Sequence, residues 1–166
     1  MNPVLVVGSV AFDTIETATD RRDDVLGGSA TYFSLAARQF SPVRVVGIVG
    51  HDFPKKHLDL FATLKIDTAG LQTGPKPTFR WHGRYDKTLS SRETISVDLE
   101  ILQHFKPDLL PAYRDSRFVL LGNTSPATQA IVFNQLAKPD FVMLDTMNIW
   151  IQTEREVLWK LLPRIN

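Results

Sequence analysis

Apolar residues fall in short runs at Val4–Val7, 43–49, Phe118–Leu121 and 141–145, rich in Val, Leu, Ile and Phe and none alternating with polar residues. That is the pattern of strands covered on both faces, as in a parallel sheet packed between helices. Helical spacing follows each gap. Residues 29–40 carry Ala30, Phe33, Ala37 and Phe40 on one side, just after Gly27-Gly28. Residues 52–64 begin with Asp52 as a cap and Pro54 in the first turn, then space Leu58, Phe61 and Ala62. Ser125-Pro126 places a capping hydroxyl before a first-turn proline and opens a helix over 127–137. Thr153 and Glu156 have the spacing of a capping box for a helix with Val157, Leu158, Leu161 and Leu162 inward, ended by Pro163. Strands alternating with helices predict right-handed crossover units and an α/β layered fold.

One region follows a different period. Residues 77–86 alternate, with Phe79, Trp81 and Tyr85 on one side and Arg80, His82, Arg84 and Asp86 on the other. This predicts a strand with one wet face. Residues 92–99 and 13–19 carry weaker versions. Together they predict a small antiparallel sheet projecting from the body. An aromatic face away from the main core needs a cover, so the hairpin reads as a lid over a ligand, a dimer clasp or a plain excursion.

Composition narrows the function classes. The 166 residues include no cysteine, which removes disulfide frameworks, thiolate metal sites and a Cys nucleophile. The formal net charge of +1 gives no bulk attraction to nucleic acid or anionic membrane. The N-terminus has no basic segment ahead of its apolar run, and no run is long enough to span a bilayer. A cytoplasmic protein is the expectation. G-x-G-x-x-G, Walker A and G-x-S-x-G patterns are absent, and His51, His57, His82 and His104 have no metal-ligand spacing. Arg21-Arg22-Asp23-Asp24 reads as a solvated turn and Lys55-Lys56 as an exposed helix face.

In open parallel sheets, ligands collect beyond the carboxyl ends of the strands. There the chain offers Gly8, Ser9 and Asp13, then Gly50, His51 and Asp52, then Gly122, Asn123 and Thr124, then Asp145, Thr146 and Asn148. Such groups suit hydroxyl-rich or phosphorylated ligands, and equally make turns and caps. Asp52 is read as a cap, whereas Asp13 and Asn148 stay open between the two roles. Gly27-Gly28-Ser29 at a helix start allows close backbone approach and offers free N–H groups, or simply makes a tight turn.

The order of these features resembles the N-terminal half of the ribokinase-like (PfkB) carbohydrate kinases. It runs from the first strand with Gly8 and Asp13, through Gly27-Gly28-Ser-Ala-Thr-Tyr-Phe and the strand ending at Gly50-His-Asp52, to Lys65-Ile-Asp-Thr-Ala-Gly70-Leu. The resemblance implies a three-layer, Rossmann-like, mostly parallel α/β sheet with a small antiparallel β lid. Residues 1–166 would form a partial domain with lid strands around 14–26 and 78–97, the family's C-terminal half being absent.

The implied activity is ATP-dependent phosphoryl transfer to a hydroxyl of a sugar or nucleoside. By resemblance, Asp13, Gly27, Gly28 and Asn123 bind substrate, and Phe79, Trp81 and Arg84 belong to the lid. Asp145 and Asn148 lie toward the phosphates, and a homodimer can form through the lid. Tyr32 stands where ribokinase-type members carry an Asn against ribose, and Trp150 where some carry an Arg near phosphate. The family's Gly-Ala-Gly-Asp stretch, whose Asp is the catalytic base, and its Asn-x-x-Glu motif for Mg²⁺ are not in the chain. ATP and Mg²⁺ are therefore expected for the full-length family and not to be bound in full by these residues, which carry no catalytic base and no metal ligands. The alternative is a non-enzymatic homologue serving as a small-molecule binding or dimerisation module.

Overall fold

The computed structural model describes residues 2–166. In chain order the elements are β1 (Val4–Val7), β2 (Ala11–Glu16), β3 (Arg21–Gly27), α1 (Ser29–Ala37), β4 (Val43–Gly50), α2 (Lys55–Thr63), β5 (Ile66–Gly74), β6 (Arg80–Tyr85), β7 (Arg92–Asp98), α3 (Pro111–Arg114), β8 (Phe118–Leu121), α4 (Pro126–Phe133), β9 (Phe141–Leu144), α5 (Asn148–Thr153) and α6 (Arg155–Leu161). Single 3₁₀ segments lie at Glu100–His104 and Leu162–Arg164. No helix among the described residues is long and apolar enough to cross a membrane.

The apolar runs form β1, β4, β8 and β9 of a five-stranded sheet, ordered β5-β4-β1-β8-β9, with every pair parallel. Alternate residues of these strands enter separate cores. Leu5, Val7, Val119 and Leu121 pack with Ile101, Leu109, Val132 and Leu161 on one side. Val6, Val45 and Leu120 pack with Ala30 and Phe61 on the other. Both faces are covered except at the β9 edge, where Phe141 and Met143 are exposed, so both residue parities of the inner strands are largely apolar. The three-layer reading is the observed one. Periodicity does not expose β5, because that edge strand mixes Asp67, Gln72 and Thr73 with its apolar residues.

The second sheet has four strands in the order β3-β2-β6-β7. It corrects the antiparallel expectation, since its central pair, β2 with β6, is parallel. Two antiparallel hairpins, β2–β3 and β6–β7, meet side by side. Residues 21–24 are strand rather than turn. They stay solvated because Arg21 reaches across to Glu16 (2.7 Å) and along to Asp23 (2.8 Å) on the sheet's wet face. The actual turn is at Thr17, whose N–H donates to the Asp20 carbonyl.

Several predicted caps are replaced by longer-range partners. Asp52 does not cap α2, whose N-cap is Pro54 with no side-chain bond. The Ser125 side chain does not bond its own helix, and its hydroxyl donates to Glu154 Oε2 (2.8 Å). The same Glu154 oxygen accepts from the Ala127 N–H (3.0 Å), so a carboxylate between α5 and α6 caps α4. The Thr153 capping box is absent, because that hydroxyl donates back to the Ile149 carbonyl (2.7 Å). Leu158 and Leu161 are buried as expected, but Leu162 is exposed because the helix tightens into the 3₁₀ turn there.

Candidate functional site

Beyond the carboxyl ends of β1 and β8, the body faces the β6–β7 hairpin across a cleft of about 240 Å³. Ser9, Gly28 and Asn123 line the body side, and Asp13, Phe79, Trp81 and Arg92 line the lid side. The cleft continues into a larger cavity of about 700 Å³ between β7 and α5, where Phe79, Trp81, Arg92 and Met147 line both spaces.

Asp13 lies in β2, two residues into the lid from the body, and its carboxylate packs against the glycine pair. A Cβ on Gly27 would overlap that carboxylate. Gly28 has φ of +94°, and a Cβ there would strike the Ser9 carbonyl. Burial pushes the Asp13 pKa up to about 6, and no hydrogen bond or cation among the described residues opposes it. The site therefore holds a half-buried carboxylate with unused acceptor capacity. A ligand hydroxyl is the chemical group that would satisfy it.

The first two N–H groups of α1 are not free, although the sequence suggests they would be. The Ser29 N–H donates to Ser9 Oγ (3.1 Å) and the Ala30 N–H to the Ser9 carbonyl (2.9 Å). The Ser9 and Ser29 hydroxyls lie 3.2 Å apart. These bonds fix the Gly27-Gly28 turn against β1 rather than forming an anion hole.

Asn123 is oriented before any ligand arrives. Its Nδ2 donates to Met147 Sδ (3.0 Å) and its Oδ1 accepts from Trp150 Nε1 (2.8 Å). Trp150 thus uses its polar edge to hold a cleft residue. Asn148 lines the larger cavity, whereas the exposed Asp145 side chain lies outside both.

The lid wall is built by the alternation of β6. Trp81 donates from Nε1 to Thr94 Oγ1 (3.2 Å), meets Tyr85 edge-on, and lies under the Arg92 guanidinium at 5.9 Å. Gly83 leaves room for this indole, since a Cβ there would overlap it. Arg84 belongs to the lid but to its opposite face, where its Nε donates to Glu16 Oε2 (2.8 Å). Glu16 also accepts from Arg21 (2.7 Å) and lies 2.9 Å from His82 Nε2. Hydrogen bonds from Arg84 and His82 hold its pKa below the usual carboxylate value, against a smaller opposing effect of burial.

Sequence reasoning did not single out Arg92 or Met147. A signal for Arg92 existed, because the alternating β7 segment begins at this residue, and the register pairs it with Tyr85. Met147 had none, since its place depends on how the chain leaves β9.

No protein-family model matches the sequence, and no curated protein matches it significantly. Solved structures do. A nucleoside kinase of Methanocaldococcus jannaschii, described as an archaeal member of the ribokinase family, superposes with a TM-score of 0.74 at 17% identity, over 100% of this chain and 59% of that one. The fold is ribokinase-like. A Burkholderia thailandensis nucleoside kinase in complex with inosine gives 0.66 at 16% identity, over 86% of this chain and 51% of that one. A Thermotoga maritima ribokinase gives 0.64 at 18%, over 87% and 52%. The chain thus spans between half and three-fifths of the length of these ribokinase-like structures.

ATP and Mg²⁺ are the cofactors the family resemblance leads one to expect for the full-length fold. Among the described residues, no group of three or more His, Cys, Asp or Glu side chains could hold a metal ion. Trp150, directed at Asn123, brings no cation toward Asn148. The residues present do not fit a complete ATP–Mg²⁺ site.

Proposed function

We propose that this chain is the acceptor-binding and lid portion of a ribokinase-like sugar or nucleoside kinase. The observation that carries this reading is the half-buried Asp13 carboxylate, free of protein donors, set against Gly27 and beside the aromatic lid wall. A polyol presents hydroxyls that such a carboxylate can accept from, and its flat apolar part can rest on Trp81. Ser9 and the pinned Asn123 amide supply further polar contacts at the same end. The nucleoside half of the proposal is supported by the aromatic wall and by the inosine complex of a protein sharing the fold. Tyr32, on the rim, stands where ribokinase-type members carry an Asn against ribose, which speaks against free ribose as the acceptor.

Phosphoryl transfer needs a base, a metal and electrostatic stabilisation of the transferring group. The chain's own residues hold and orient the acceptor and exclude water from it, and the transfer groups would have to come from additional polypeptide. Titration calorimetry with inosine, D-ribose and D-fructose tests the binding, and coupled detection of ADP tests turnover. Binding without turnover is expected for residues 1–166, with Asp13→Asn abolishing the binding. Failure of every sugar and nucleoside to bind would overturn the reading, and clear turnover would overturn the division of labour.

A binding or dimerisation module without transfer is the second reading, favoured by β7, a lid-edge strand exposed along its whole length. Self-pairing of that edge would give a homodimer through the lid. The two readings separate on mixing with a polypeptide carrying the Gly-Ala-Gly-Asp half. Restored turnover supports the kinase, and its absence supports the module.

A further inference from the structure

The entry to β6 is fastened to the body through one carboxylate. Asp52, just beyond β4, accepts at Oδ1 from both the Thr78 N–H and the Thr78 hydroxyl, each at 2.7 Å. Its Oδ2 lies 2.8 Å from Arg80 Nη1. Thr78 is fully buried, and its hydroxyl oxygen accepts from the Gly50 N–H at 3.0 Å. A single buried threonine and a single carboxylate therefore join the end of a body strand to the start of a lid strand.

These bonds lead directly to the cleft. Phe79 sits between the two residues that Asp52 holds. Its carbonyl accepts the Phe12 N–H at 2.9 Å, and its ring lines the cavity. Arg80 lies over the Phe12 ring at 5.2 Å, and Phe12 immediately precedes Asp13. Trp81 follows Arg80. Asp52 touches neither cavity, yet its partners adjoin both the acceptor carboxylate and the aromatic wall beside it, Asp13 and Trp81 being register partners on β2 and β6.

We propose that Asp52 is a positioning residue that sets how the Asp13 and Phe79–Trp81 face of the lid sheet sits over Ser9 and Asn123 of the body, and through that spacing the affinity for the acceptor. The part concerning affinity rests on the acceptor-binding reading of the cleft, whereas the part concerning lid position does not. Ionised hydrogen bonds of this kind are short and directional, and a displacement of about 1 Å in a supporting contact is enough to spoil a site. Burial raises the Asp52 pKa, but the Thr78 donors and Arg80 outweigh it and bring it down to about 2, so the fastening stays charged at neutral pH.

The test compares Asp52→Ala, Asp52→Asn and Thr78→Val by amide hydrogen exchange and by calorimetry with inosine as probe. In Asp52→Ala and Thr78→Val, exchange is expected to rise about tenfold across β6 and β7 while β1 and β8 stay unchanged, and the inosine Kd to rise about tenfold, the scale of one lost charge-assisted bond. Asp52→Asn keeps the Thr78 bonds but sets an amide against Arg80. Its smaller effect on Kd should be partly reversed by adding Arg80→Gln, a rescue that a general loss of stability would not show. Unchanged lid exchange, or exchange rising equally in β1 and β8, would overturn the proposal. If the Ala variant does not fold, Asp52→Asn and its rescue decide. If the unaltered chain does not bind inosine, the nucleoside reading fails, and the exchange comparison alone decides the role of Asp52.

Discussion

Asp13 illustrates how one side chain can be assigned from its surroundings rather than from its type. Burial raises its pKa from the ordinary 3.8 to about 6. The folded chain therefore binds a proton that the unfolded chain has released between those values. The stabilisation from this proton is complete below the ordinary value and lost as pH rises through about 6. At pH 7.5, Asp13→Asn should raise the unfolding free energy by about 1 kcal/mol, after allowing for solvent screening of a partly exposed group. At pH 4 the gain should nearly vanish. Melting curves at the two pH values check this, and acceptor binding by the variant should be lost at both. At the same scale, Gly83 is small because the Trp81 indole occupies the place of its side chain. Gly83→Ala should displace the indole and weaken acceptor binding about tenfold, as one misplaced aromatic contact would. Calorimetry beside Trp81→Ala checks it, since the double variant should be no worse than Trp81→Ala alone. The alternation of residues 77–86 made the aromatic wall legible in sequence. The approach of Arg92 and Met147 to it was not legible, because both depend on chain pairings elsewhere.

At the scale of elements, ends and edges are held by residues from other elements. Glu154 caps α4 by accepting from Ser125 and Ala127. Glu154→Ala should cost about 1 kcal/mol, the ordinary value of a lost N-cap, read as a lowered denaturation midpoint. Ser125→Ala should cost less, since the Ala127 bond to Glu154 remains. The lid's wet face depends on Glu16, which serves β3 through Arg21 and β6 through Arg84. Its lowered pKa means that its contribution to the lid is present above the usual carboxylate range and is lost as pH falls through the lowered value. Glu16→Gln should speed amide exchange in β2, β3 and β6 at pH 7, with little difference from the unaltered chain once Glu16 is protonated. Exchange rates measured across that range check the sign.

For the whole molecule, the two sheets divide the work. The parallel sheet holds Ser9 and Asn123 at the ends of its strands, and the mixed sheet carries Asp13 and the aromatic wall. The cleft is the gap between them, so neither sheet alone makes the site. The apolar runs and the alternating segment already specified which strands would be buried on both faces and which would have a wet side. That is a local property, because a strand's residue parity decides where each side chain must go. The resemblance carried by Asp13, Gly27-Gly28 and the strand ends anticipated the layered sheet with its lid.

What the sequence alone determined is the apolar strands β1, β4, β8 and β9, the alternating β6, helices α1, α2, α4 and α6, and the residue types at their ends, because periodicity and burial act over a few neighbouring positions. Only the tertiary structure decided the parallel β2–β6 pairing and the edge position of β5. It also decided that Asp52 serves Thr78, 26 positions away, and that Glu154 caps a helix start 27 positions away. A carboxylate near a helix start is drawn equally to the adjacent backbone and to any stronger donor the fold brings within reach. Packing, not local spacing, decides between them.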